Sequence, residues 1–242
     1  AVEVDALYYV ADLLLDLGIK KILIEKPGCR NLNELEQLKE NAKKRNIDIY
    51  IAYNRRFFES VVKAEEMIKE DGGVLSVNFE FTEWIDRLLV PKPIHSLEDV
   101  MYRNSTHVID LAFYFAGIPK DFRFYHAGWI DQMKNPSIYA GAGITDKNVL
   151  FCYQANWDAP GRWSVEVLTK VRRYYFKPME ELWTQNRNST VLEQVTLPNE
   201  YDVQYKPGLY KMVETFLNHD SDSKLLTLDE QINMTKIYNE MK

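Results

Sequence analysis

The five residues Lys21 to Glu25, KILIE, constrain this chain more than any other stretch. A run this short, apolar at its centre and bounded by Gly18 and Pro27, suits a strand buried on both faces. Helical periodicity flanks it on either side. Before it, Leu7, Val10, Leu14 and Leu17 recur at helix spacing, with Gly18 as the C-terminal cap. After it, Asn31 caps a second helix and Glu34 completes the capping pair, while Leu35, Leu38 and Ala42 form the inner stripe. Asp48 to Tyr53 reads as the next strand and Phe58 to Lys69 as the next helix. The order α-β-α-β-α predicts parallel strands joined by right-handed crossovers.

The pattern changes near Asp71-Gly72-Gly73, which sets an expected boundary between residues 1–72 and 73–242. In VLSVNFEFTE, Leu75, Val77, Phe79 and Phe81 face one way and Ser76, Asn78, Glu80 and Thr82 the other. Further strands are expected at Phe122–Ile130, Asn148–Trp157, Arg162–Thr169, Val171–Phe176 and Val191–Leu197. Helices are expected at Ser96–Tyr102, Thr106–Ala116 and Val203–Asn218, with a last one capped by Thr227 and Glu230. Period-two alternation predicts an open, mainly antiparallel sheet with flanking helices. The fold class is therefore a partial, Rossmann-like parallel βαβ segment (α/β) followed by an α+β domain.

The first segment is small for its pattern. Two parallel strands cannot bury three helices around a sheet that normally has four or more strands. A dinucleotide-binding sheet also needs a glycine-rich first turn. With 10 glycines in the chain, the nearest candidate is Gly141-Ala142-Gly143, which has Asp146 where the third glycine belongs and follows no βαβ strand. The chain is expected to lack the first half of a nucleotide-binding domain.

Composition excludes several classes. With 30 basic and 36 acidic residues in 242, the net charge is −6, which disfavours a nucleic-acid surface. There is no run of about 18 apolar residues for a membrane span. The opening residues carry acids and no basic stretch, so no secretory signal is expected. The two cysteines, Cys29 and Cys152, make neither a disulfide framework nor a thiolate zinc site, which points to the reducing cytoplasm.

Four stretches carry residues with chemistry. Glu25-Lys26-Pro27 ends the first strand, on the edge where open parallel sheets collect ligands; Pro27 biases Lys26 toward an extended backbone. Asn54, Arg55 and Arg56 follow the second strand, beside that loop, where an arginine can hold a phosphate or carboxylate. Asn104 or Ser105 can cap the helix bearing His107, putting that imidazole at the positive end of the dipole, which lowers its pKa and keeps it neutral. Asp110, three residues on, can orient the ring or hold nearby donors. Trp157 to Trp163, with Arg162, can form a platform for a sugar ring or base, or an interface. Each also has a plainer structural reading: a solvated lysine, exposed arginines, a packed histidine. His95, His126 and His219 show no metal-ligand spacing.

Taken in order, ILIEKP at Ile22–Pro27, AYNRRF at Ala52–Phe57 and STHVIDLAFYFAG at Ser105–Gly117 resemble the glucose–fructose oxidoreductase/inositol dehydrogenase (Gfo/Idh/MocA) family. The resemblance spans essentially the whole chain. It implies that residues 1–72 are the C-terminal part of a dinucleotide-binding (Rossmann) domain and 73–242 a substrate-binding and oligomerisation domain. It implies NAD or NADP as cofactor, and hydride transfer to or from a carbinol carbon of a sugar, sugar nucleotide or polyol. Lys26 and His107 match the family's catalytic lysine and histidine, with Glu25, Pro27 and Asn54 helping to bind cofactor. Arg55, Arg103, Asp110, Arg162 and Trp163 are the expected substrate contacts. Arg103 stands where many members have Asp, and is expected to meet an anionic substrate group such as a phosphate. A homo-oligomer through the open sheet is expected. The alternative is a non-catalytic binding or assembly module that retains the fold.

Overall fold

The computed structural model describes residues 2–88, 99–198, 200–218 and 224–241. In chain order its elements are α1 (Val4–Asp16), β1 (Lys21–Glu25), α2 (Leu32–Arg45), β2 (Asp48–Ala52), α3 (Glu59–Glu70), β3 (Ser76–Glu80), α4 (Ile85–Leu88) and α5 (Thr106–Ala116). There follow β4 (Pro119–Ala127), β5 (Ile138–Thr145), β6 (Leu150–Asn156), β7 (Ser164–Leu168), β8 (Arg172–Phe176), β9 (Trp183–Asn186) and β10 (Glu193–Gln194). The chain ends with α6 (Glu200–Gln204), α7 (Leu209–Asn218), β11 (Leu226–Thr227) and α8 (Leu228–Glu240). The expected helix over 96–102 lies for its first half outside the described residues, as do His95 and His219.

Two compact units divide the chain: Ala1–Asn54 with Leu209–Met241, and Arg55–Gly208. In the first, β1 and β2 pair in parallel from Lys21↔Asp48 to Glu25↔Ala52, as their flanking helices dictate. The core joins Leu7, Ala11 and Leu15 of α1 to Leu35 and Leu38 of α2, across Ile22 and Ile51. Asn31 caps α2 by accepting from the Glu34 amide at 3.0 Å. The Glu34 carboxylate reaches back one residue further than expected, to the Arg30 amide at 3.0 Å. The sequence did not suggest what covers the second edge of β2. β11 pairs there antiparallel, Leu226↔Ile51, and delivers α8, whose Thr227–Glu230 capping box is present as expected.

The second unit is built on an eight-stranded sheet of order β10-β9-β8-β7-β3-β6-β5-β4. All its pairs are antiparallel except β3 with β6, which run parallel. The alternation in β3 buries Val77 and Phe79, as their spacing requires. On that inner face α5 docks, with Phe113 meeting Phe79 and Phe151 edge-on at 5.5 and 5.0 Å.

Four expectations need correction. The boundary does not fall near residue 72: α3 belongs to the second unit, where Ser60 Oγ donates to the Met179 carbonyl at 2.7 Å. The helix expected over 203–218 is two helices, α6 and α7, because Pro207-Gly208 interrupts it, Gly208 at a φ of 70°. β5 and β9 were not expected at all. Gly141 and Gly143, weighed as a loop, lie within β5, where a Cβ on Gly141 would come within 2.3 Å of the Tyr153 ring. The strand expected at Val191–Leu197 shrinks to the two residues of β10.

Candidate functional site

His107 sits near the start of α5, but the helix does not begin there. Val100 is already helical, and Met101–Ser105 form one π-helical turn that runs straight into α5. Ser105 has helical backbone angles and makes no cap, and Asn104 makes none either, so the expected dipole effect on His107 is withdrawn. The unsatisfied amides of the helix start lie about two turns upstream. Thr106 Oγ1 donates back to the Tyr102 carbonyl at 3.0 Å, the i−4 bond that a threonine hydroxyl often makes in a helix.

What holds the turn is a carboxylate missing from the expectations. Glu83, 2 % exposed, accepts from Ser105 Oγ at 2.6 Å and Asn104 Nδ2 at 3.0 Å. It also accepts from Trp163 Nε1 at 3.1 Å and Arg162 Nη1 at 3.3 Å. Burial pushes its carboxyl upward, against the pull of Ser105, Arg162, Trp163 and Asn104. One signal for it existed. Continued by period two, the apolar face of Val77, Phe79 and Phe81 puts residue 83 on the inner side, and a glutamate there must find donors.

Trp163 joins the histidine to the arginines. Its ring centre lies 6.3 Å from that of His107. The guanidinium carbons of Arg162 and Arg55 stand over it at 4.4 and 4.9 Å. Arg162 also faces Trp84 at 4.6 Å, with Arg87 at 4.2 Å from that ring. Burial lowers the Arg55 guanidinium to about 10, which leaves it cationic at neutral pH. An open groove of about 650 Å³ passes Glu83, Trp84, Arg87, Trp157 and Asp158.

The other expected residues separate cleanly. Asp110 is 1 % exposed and takes two bonds from Arg56, Nε at 2.9 Å and Nη2 at 2.6 Å. A carboxylate so enclosed has no surface for a ligand; its expected substrate contact is replaced by the holding of Arg56. Arg103 lies half-buried within the π turn. In the first unit the parallel register sets the loops after Glu25 and Ala52 side by side. Glu25 is exposed there, Lys26 half-buried, and Pro27 and Asn54 buried; the Lys26–Pro27 peptide is cis.

In open parallel sheets ligands gather at the carboxyl ends of the strands, and this edge offers a lysine and an asparagine there. Gly28, at a φ of 94°, is the glycine of this loop, yet a Cβ there would meet Ile51 Cδ1 at 2.9 Å, so its approach serves the core. No glycine-rich turn for a pyrophosphate occurs among the described residues. Neither does any group of three or more His, Cys, Asp or Glu placed to hold a metal ion. No helix among them is long and apolar enough to cross a membrane.

No family model matches the chain, and no curated protein matches it. Solved structures do. UDP-N-acetylglucosamine 3-dehydrogenase GnnA from Acidithiobacillus ferrooxidans aligns over 100 % of this chain and 75 % of its own, with a TM-score of 0.75 and 15 % identity. Levoglucosan dehydrogenase in complex with NADH and levoglucosan aligns over 100 % and 76 %, with a TM-score of 0.76 and 19 % identity. The chain shares the fold of these two dehydrogenases over its whole length. The super-repressor mutant of Gal80p from Saccharomyces cerevisiae shares it, over 100 % of this chain and 75 % of that one, with a TM-score of 0.79 and 15 % identity. At these identities the likeness is one of fold, and the chemistry must be argued from this chain's own residues.

Proposed function

We propose that this chain is part of an NAD(P)-dependent oxidoreductase that moves hydride between nicotinamide and a carbinol carbon of a sugar, sugar nucleotide or polyol. The observation that carries the reading is the imidazole of His107 beside Trp163, just after a turn fastened by Glu83. When bound, the nicotinamide supplies the hydride chemistry. The protein handles the proton. Oxidising a carbinol requires its hydroxyl proton to leave, and His107 is the acid/base that takes it. Lys26 stabilises the developing alkoxide charge, while Glu25, Pro27 and Asn54 hold the nicotinamide end of the cofactor. The fold of a levoglucosan dehydrogenase complex with NADH supports this reading. Two free thiols, Cys29 and Cys152, fit a cytoplasmic setting.

The test is turnover of the polypeptide carrying these residues, with NAD or NADP and a panel of sugars and polyols. Lys26→Ala and His107→Gln should each reduce it about a hundredfold or more. Full activity in either variant removes that residue from the reaction.

The second reading is a binding or assembly module that keeps the fold without the chemistry. One observation favours it: the fold is also that of a Gal80p super-repressor mutant. NADH fluorescence separates the two. A saturable change on the polypeptide supports the oxidoreductase, and its absence supports the module.

A further inference from the structure

Several arginines of the second unit are paired with carboxylates. Arg56 has Asp110, Arg172 has Asp71 and Arg173 has Glu166. Arg55 is different. Among the described residues its guanidinium has no carboxylate and no hydrogen-bond acceptor; it touches only the rings of Trp163 at 4.9 Å and Phe58 at 5.8 Å. Aromatic rings satisfy the face of a guanidinium but none of its five in-plane N–H donors. Arg55 is half-buried, and none of its side-chain nitrogens is both buried and unpaired, so those donors stand open to solvent and to a ligand.

The surroundings supply counter-charge only from a distance: the exposed Glu180 acts electrostatically on Arg55 but forms no ion pair with it. Glu83 is the carboxylate at this site, and it is shared among Ser105, Asn104, Trp163 and Arg162, with Arg162 at the longest of those distances, 3.3 Å. Arg55 and Arg162 stand over one indole beside the His107 ring, and of the two only Arg162 has a carboxylate in contact.

We propose that the substrate carries an oxyanion, a carboxylate or a phosphate, which seats on Arg55 and Arg162 over Trp163. The group completes the pairing that the fold leaves open at Arg55, and it fixes the carbinol carbon relative to His107. This rests on the oxidoreductase reading for the identity of the reacting carbon, but the anion seat is tested by binding alone.

The experiment is calorimetric titration of the 242-residue chain with D-glucuronate, D-glucose 1-phosphate and D-glucose as probes. At least one anion should bind at least tenfold tighter than glucose. Preference for glucuronate alone assigns a sugar acid, for the phosphate alone a sugar phosphate or nucleotide, and for both the shared oxyanion chemistry. Arg55→Met should abolish the preference. Equal binding of all three probes, no binding of either anion, or a preference that survives in a folded Arg55→Met variant each overturns the proposal. The wild-type comparison decides even if that variant fails to fold. Because no hydride moves in the titration, an inactive His107 would sink the oxidoreductase reading and leave the anion seat standing.

Discussion

The chemistry at this site is decided by how single charges are enclosed. Glu83 collects four donors, two of which come from positions 79 and 80 residues further along the chain. Removing it leaves those donors facing each other without an acceptor, the costly half of hydrogen-bond energetics. Glu83→Ala should therefore destabilise the protein by about 3 kcal/mol in denaturant titration. It should also lower turnover, because the turn ahead of His107 loses its anchor. A variant as stable as wild type would show that the four contacts carry no net energy. Residue type alone was enough to single out His107, Arg55, Arg162 and Trp163. It was not enough to tell Arg55 from Arg56: the two are adjacent, and only the fold gives one of them Asp110.

At the level of elements, periodicity served where it was long and uninterrupted. α1, α2, α3 and β3 lie within a few residues of where their apolar spacing puts them. It failed where one residue serves two masters. The glycines of β5 read as a loop because their reason for being there, the Tyr153 ring on the next strand, is a tertiary one. The helix before His107 was split at Ser105 because Asn and Ser are good caps, yet both side chains are taken by Glu83. Asp71, closing α3, shows how such elements are tied together. It accepts from Arg172 Nε at 3.0 Å, Tyr174 Oη at 2.6 Å and Thr169 Oγ1 at 2.8 Å. Burial works to raise its carboxyl, but the bonds from Arg172, Tyr174 and Thr169 outweigh it and hold the group below the usual carboxylate range. The sign of the pH effect follows: the unfolded chain binds the proton more readily, so this stability is complete above about pH 4 and drains as pH falls through the lower folded value. Asp71→Asn should cost about 3 kcal/mol at neutral pH and flatten the acid limb of the stability curve. An acid limb identical to wild type contradicts that assignment.

For the molecule as a whole, the division into two units was the least legible feature. Linear reading closes a domain where the pattern changes, but here the chain returns, and α7, β11 and α8 complete the unit that α1 and β1 began. Ile232 of α8 sits in the same core as Leu7 and Leu35. Ile232→Ala should therefore destabilise that first unit by about 2–5 kcal/mol in thermal or denaturant unfolding, despite lying nearly 200 positions from Leu35 in sequence. The outer face of the eight-stranded sheet carries Asn78, Cys152 and Glu166, and we expect two copies to pair through it; a monomer by light scattering contradicts this. The central claim concerns one proton. The most direct measurement is steady-state oxidation by the polypeptide bearing these residues, wild type against His107→Gln, with whichever sugar it turns over. The account predicts that kcat falls about 10²- to 10⁴-fold while KM changes little. An unchanged kcat would mean that His107 is a packed side chain and that the hydride-transfer reading is wrong.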